Sequence, residues 1–168
     1  CLNVIGETVT LRQALNSPEA DQWREAIHTE MASLEENETW GPPVVLPPGF
    51  KATPLKFVLT KKYNDQGEVS RFKARLVYQR NNYTSTPPDE DVYSPVIGRE
   101  SFRILMNWIA SNGYECAHAD VVCAFLYGPV NREVYVTLPK EVCDDGDLVR
   151  KLDKAIYGLE EASRCWYK

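Results

Sequence analysis

No apolar run in this 168-residue chain approaches the roughly 18 residues of a membrane span, and its first residues lack the charged, apolar and small-residue order of a signal peptide. A soluble intracellular chain with no membrane partner is the expectation. Cysteine is sparse and scattered: Cys1, Cys116, Cys123, Cys143 and Cys165 are odd in number and include no C-x-x-C pair. Neither the disulfide framework of a small secreted domain nor a zinc finger is suggested. Cys116, His118 and Cys123 could be imagined as metal ligands, but a fourth ligand at recognisable spacing is missing, and thiols packed near a strand explain them better. Net basic charge is lacking too: the chain carries −5 overall, which would argue against a nucleic-acid partner if the charge were evenly spread.

It is not evenly spread. Between residues 51 and 80 the bases Lys51, Lys56, Lys61, Lys62, Arg71, Lys73, Arg75 and Arg80 face only Asp65 and Glu68, a local charge of +6 that leaves −11 for the remainder. A basic surface on an acidic protein is the footprint of a polyanion site; the plain alternative is a solvated hairpin with ordinary Lys and Arg outside. The length predicts one compact domain burying about 70% of its unfolded surface.

Ser17, Pro18 and Glu19 read as a helix start, and Trp23, Ala26, Ile27, Met31 and Leu34 recur at helical spacing, predicting an amphipathic helix from Pro18 to Glu36. The Pro-rich segment 42–49 cannot continue it. Two strand-like runs, 55–63 and 68–78, flank Asn64-Asp65-Gln66-Gly67 and predict a basic β-hairpin over 55–78. By the two-residue period Arg71, Lys73 and Arg75 share one face of its second strand, while Phe72, Ala74 and Leu76 share the other. Residues 81–91 read as a loop. A second helix is predicted over 99–111, with Phe102, Leu105, Met106 and Ile109 inward and Asn112-Gly113 as its stop. Strands are expected over 114–122 and 132–138, and the acidic run 143–147 lacks the later Glu of an EF-hand, so it reads as a solvated turn. These elements define an α+β fold with helices packed on an antiparallel sheet and a projecting basic hairpin.

Asp120 ends the predicted strand 114–122, and the small and apolar Ala124-Phe125-Leu126 follows it. An aspartate there is ordinarily a turn or cap residue. It is also how polymerases hold magnesium, a hard cation that usually takes one or two protein carboxylates and completes its shell with water and substrate phosphates.

The neighbouring segments narrow the choice. RFKARLV at 71–77, SPVI at 94–97, ADVVCAFLYG at 119–128, EVYVTLP at 133–139 and KAIYGLEEASRCWYK at 154–168 follow in order, after DQWREAIHTEMASLEENETW at 21–40 and LPPG at 46–49. Together they resemble the reverse transcriptase of copia-type LTR retrotransposons, whose segments typically read RYKARLVAKG, SPVV, MDVKTAFLNG, EVYMxQP and KALYGLKQAPRAWY. The resemblance runs from about Leu11 onward.

It implies a partial fingers-palm polymerase fold: a lead-in over 1–16, a fingers-like region over 17–98 with the basic hairpin, and a partial palm over 99–168 carrying Asp120. It implies nucleotidyl transfer with two Mg2+ ions, Asp120 as catalytic residue and metal ligand, and the Val121 backbone carbonyl as a further ligand. Phe125 would lie beneath the incoming sugar and exclude a 2′-hydroxyl by bulk; by itself it reads as a core ring. Lys73, Arg75, Tyr157 and Gly158 would form the nucleotide pocket, and Lys61, Lys62 and Arg71 would meet nucleic-acid phosphates. The implied partners are an RNA template, a DNA primer, dNTP, and the C-terminal palm, thumb and RNase H parts of the polyprotein. The implied location is the cytoplasm, in the element's virus-like particle, or the nucleus.

The family's second catalytic motif, Tyr-x-Asp-Asp, occurs nowhere in these residues, so little or no polymerase activity is expected from the chain alone. Asp144-Asp145 has no strand leading into it and is a poor substitute. Departures cluster near nucleic acid: Tyr78-Gln79-Arg80-Asn81 replaces Ala-Lys-Gly-Phe, Thr86-Pro87-Pro88-Asp89 replaces Gly-Ile-Asp-Tyr, Val122 replaces Lys, Glu160-Glu161 replaces Lys-Gln and Ser163 replaces Pro. Two acids beside a template surface are expected to repel phosphate. Two functions of different classes follow: a fragment of a reverse transcriptase, or a noncatalytic remnant acting as a nucleic-acid or protein binding domain.

Overall fold

A computed structural model describes residues 8–79, 92–143 and 145–167; the predicted loop 81–91, with Arg80 and Asp144, lies outside them. The described chain runs β1 (Thr8–Val9), α1 (Leu11–Leu15), α2 (Ala20–Glu36), β2 (Ala52–Tyr63), β3 (Val69–Tyr78), α3 (Arg99–Ser111), a 3₁₀ turn (Ala124–Tyr127), β4 (Tyr135–Thr137), β5 (Arg150–Lys151) and α4 (Ala162–Tyr167). The mixed content is that of an α+β fold.

Local chemistry sets the first two helices. Thr10 and Gln13 form a reciprocal capping box at the start of α1. Ser17, expected to cap the next helix, serves the turn between them: its hydroxyl donates to Ala14 O at 2.8 Å and accepts from Glu19 N at 3.2 Å. α2 therefore starts two residues later than Pro18. Its apolar stripe behaves as the spacing requires, with Trp23, Ile27 and Leu34 buried. Beyond its end, buried Thr39 donates to Leu34 O at 2.7 Å, and its carbonyl accepts from Asp153 N and Lys154 N.

β2 and β3 form the predicted antiparallel hairpin, in a register that sets Leu59 opposite Ala74 and Phe57 opposite Leu76. The turn is closed by Asn64, whose side-chain oxygen accepts from Gln66 N and Glu68 N, and by Gly67 at φ +81°. β1 adds antiparallel at Thr60 and Leu59. β4 pairs with the start of β2 in parallel, Ala52 opposite Tyr135, and β5 pairs antiparallel with β4. The sheet is thus mixed and not wholly antiparallel, because β4 returns from a long excursion instead of a hairpin turn. The core lies between α2 and the sheet, where Leu59 and Val136 are wholly buried and Trp23 meets Phe72 edge to face at 4.8 Å.

Two expectations fail. α3 forms over the predicted residues but buries none of them: Phe102, Leu105 and Met106 are exposed and Ile109 is half-buried. Its amphipathic pattern is real, but the elements that pack on the sheet lie elsewhere. Residues 114–122 form no strand; this run is irregular and exposed throughout. Cys116-Ala117-His118-Ala119 offers no strong apolar alternation, and no neighbouring strand meets its backbone groups among the described residues. The strand expected over 132–138 shortens to Tyr135–Thr137.

Candidate active-site cleft

The cleft begins with the alternation of β3. The register sets Lys62 opposite Arg71, Thr60 opposite Lys73 and Val58 opposite Arg75, so the cations share a face while Ala74 and Leu76 are buried on the other. Crowding has a cost: burial first, then the positive charges of Arg75, Arg71 and Lys62, holds the Lys73 ammonium below its usual range. Arg75 has a buried Nε with no hydrogen-bond partner, and its guanidinium lies over the Tyr157 ring at 5.2 Å.

Tyr157 is held against β3 by its main chain. Tyr78 N donates to Tyr157 O at 2.8 Å, and Val77 and Tyr157 form a parallel bridge. Gly158 makes this approach possible. Its φ is +84°, and a Cβ there would stand 2.5 Å from Tyr78 O and 2.7 Å from a Val77 methyl, so no other residue fits without moving backbone. Tyr157 in turn meets Phe125 edge to face at 5.3 Å. Phe125 belongs to the 3₁₀ turn, which follows Cys123 in the left-handed region at φ 54°. That conformation costs a non-glycine residue about 1 kcal/mol. Buried Leu126, and Gly128 packed against Cys165, anchor the turn.

α2 supplies the opposite wall with Gln22, Glu25, Thr29 and Glu30, and Asp120 and Val121 close the rim of a cleft of about 760 Å3. Glu30 reaches the edge of β3 away from β2, beside the Tyr157 pairing, and accepts from Leu76 N at 3.1 Å. Burial pushes its carboxyl up, against the pull of that bond and of Arg75 and Lys73.

Asp120 and the Val121 carbonyl are hard oxygen donors suited to magnesium, but they amount to half a site. Among the described residues no three His, Cys, Asp or Glu side chains gather where an ion could be held, and Glu30 is committed to Leu76. The donor set therefore does not fit a pair of ions.

Of the expected site residues, Arg71, Lys73, Arg75, Asp120, Val121, Phe125 and Tyr157 line this one cleft, and Gly158 stands behind Tyr157. Lys61 and Lys62 do not line it. Lys61 lies on the α2 side of β2 in an ion pair with Glu19 at 2.7 Å, and Lys62 is exposed farther along the cationic face. Glu161 is not a surface acid facing template: it is 6% exposed and takes Arg132 through both oxygens. Asp145 likewise is no solvated turn residue, since it is half-buried and takes Arg150 Nε at 2.8 Å. Sequence reasoning missed Glu30 and the left-handed backbone of Cys123. Glu30 is one of several polar positions on α2, and nothing in the residue type of Cys123 signals a positive φ.

The α+β domain thus carries a cleft that sets a cationic strand beside the Tyr157 and Phe125 rings. The chain belongs to the reverse transcriptase (RNA-dependent DNA polymerase) family, whose model matches residues 37–168. It is 35% identical over 158 residues to the retrovirus-related Pol polyprotein from transposon RE2 of Arabidopsis thaliana, covering 93% of this chain and 11% of that protein. It is 34% identical over 163 residues to the corresponding polyprotein from transposon TNT 1-94 of Nicotiana tabacum, covering 96% and 12%. The transposon RE1 polyprotein of Arabidopsis thaliana is 34% identical over 160 residues, covering 93% and 11%. The chain thus spans about an eighth or less of the length of these relatives. No solved structure matches it. Among the described residues no helix is long and apolar enough to cross a membrane.

Proposed function

We propose that the chain is the fingers and partial palm of a retrotransposon reverse transcriptase, with 17–98 acting as fingers and 99–168 as palm, and that its cleft takes the incoming dNTP. The observation that carries this reading is the contact chain Arg75, Tyr157, Phe125 in one cleft with Asp120. Arg75 and Lys73 bind the triphosphate, and the unpartnered Arg75 Nε gains an acceptor there. Tyr157 keeps the guanidinium and the Phe125 ring at fixed separation, and Phe125 underlies the sugar. Arg71 and Lys62 continue the cationic face toward primer and template phosphates. Magnesium would supply Lewis-acid stabilisation of phosphoryl transfer, and this chain's contribution to holding it would be Asp120 and the Val121 carbonyl. With that half-site and no Tyr-x-Asp-Asp, the 168 residues alone are expected to be inactive.

The test is binding to a fluorescent RNA/DNA primer-template over a salt series, with Lys73→Ala and Arg75→Ala beside the parent. Affinity should fall steeply with salt, and each variant should lose about one unit of log-log slope per phosphate contact removed. A folded sample that does not bind at low salt would sink the proposal.

The half-site at Asp120, with no cluster of three ligating side chains among the described residues, favours a second reading, a noncatalytic remnant that binds nucleic acid or protein. A chimera with a family-type downstream palm and thumb separates the two: polymerase activity supports the first, and a dead chimera with Glu160→Lys supports the second. Glu161 is left alone because its replacement would strand Arg132.

A further inference from the structure

We propose that Glu30 is a resident anion of the cleft, a positioning residue that pins the cationic strand by its main chain and holds down that strand's affinity for polyphosphate. This rests on reading the cleft as a phosphate site.

The geometry is specific. β3 has β2 on one side; on its other edge Tyr157 pairs with Val77 and Tyr78, and next to that pairing the Leu76 N–H is taken by Glu30 Oε1 at 3.1 Å. Leu76 follows Arg75 directly, so the bond fixes the backbone from which the Arg75 side chain departs. Glu30, Lys73 and Arg75 line the same cleft. The carboxylate is turned to the main chain instead of pairing end to end with a guanidinium, which leaves Arg75 Nε buried and unpartnered. Its charge still reaches both cations, since Arg75 and Lys73 each pull its proton affinity down and it holds the Lys73 proton in place.

Two consequences follow. Repulsion within the cationic strand is partly offset before any ligand arrives, so the strand can be built without bound anion. An arriving polyphosphate also meets a fixed negative charge that does not leave, so binding is weaker, and less steeply dependent on salt, than three cations alone would make it.

Glu30→Gln separates the two roles, because the amide oxygen can still accept from Leu76 while the charge is gone; Glu30→Ala removes both. The probe is inorganic tripolyphosphate, titrated calorimetrically at low and high salt with the parent, both variants and Arg75→Ala. Glu30→Gln should bind about fivefold tighter at low salt, with the gain fading at high salt, and should keep slow hydrogen exchange at the Leu76 amide. Glu30→Ala should lose that protection and most of the gain. A folded Glu30→Gln with unchanged or weaker affinity overturns the proposal. So does a Glu30→Gln that cannot fold, since the carboxylate would then be purely structural. If the parent binds no tripolyphosphate and Arg75→Ala changes nothing, the phosphate reading fails, and Glu30 is decided by the Lys73 titration followed by NMR. Loss of the Glu30 charge should lower it further, and an unmoved Lys73 overturns the proposal.

Discussion

α2 and α3 are both amphipathic, both of helical length and both carry tryptophan, yet one is the spine of the core and the other buries nothing. In α2, Trp23 is 1% exposed and packs on Phe72 of the hairpin. In α3, Trp108 is 55% exposed, and Val96 and Ile97 just before the helix are exposed as well. Periodicity says which face of a helix is apolar; whether anything covers that face depends on elements far away in the chain. The difference matters for the cleft. Its cationic wall stands on the region packed by α2, β2 and β3, and its aromatic residues are held by a bridge to β3 and a turn anchored on α4, whereas Asp120 arrives on the irregular, exposed run that follows α3.

The sharpest way to break this comparison is to truncate both tryptophans. Trp23→Ala should cost about 3–5 kcal/mol by emptying a filled site, and Trp108→Ala should stay within about 0.5 kcal/mol; urea denaturation of each measures both. Equal losses would mean that α3 is packed in solution. Glycines give a finer contrast. Gly158→Ala meets both a positive φ and a backbone oxygen and should cost about 3 kcal/mol. Gly113→Ala, at φ +67° with open space around it, should cost about 1 kcal/mol. Thermal melts of the pair would collapse the distinction if the two shifts matched.

The smallest effect concerns pH. A hydrogen bond from the Arg150 guanidinium, foremost, holds the Asp145 carboxyl below the usual range, and the same guanidinium reaches Glu35 on α2 at 3.0 Å. A depressed carboxyl contributes stability that is present above its unfolded value of about 3.9 and is lost as pH falls through its folded value. Asp145→Asn should therefore lower the melting temperature near neutrality and flatten the acid limb of its pH profile. An unchanged acid limb would remove Asp145 from the packed region.

Much of this was legible in the residues. The hairpin followed from Asn64 and Gly67 between two alternating runs, and the shared face of Arg71, Lys73 and Arg75 followed from the same alternation. The family was legible in the ordered motifs. The strand at 114–122 was misread because a strand needs a partner, and sequence near Asp120 does not say whether one is there. The opposite error was made at Glu161, read as an acid beside the template surface from its place in the last family-like motif, when Arg132, 29 positions earlier, offers the charge that makes its burial tolerable.

The sequence by itself determined the family, the hairpin, the cationic face and the candidate residues, because each rests on local spacing or on motif order. Only the tertiary structure decided that Tyr157 bridges Arg75 and Phe125, that Lys61 is spent on Glu19, that Glu30 stands among the cations and that α3 lies bare. Each of these depends on which distant segments meet, and burial, pairing and charge balance are properties of the meeting and not of either segment alone.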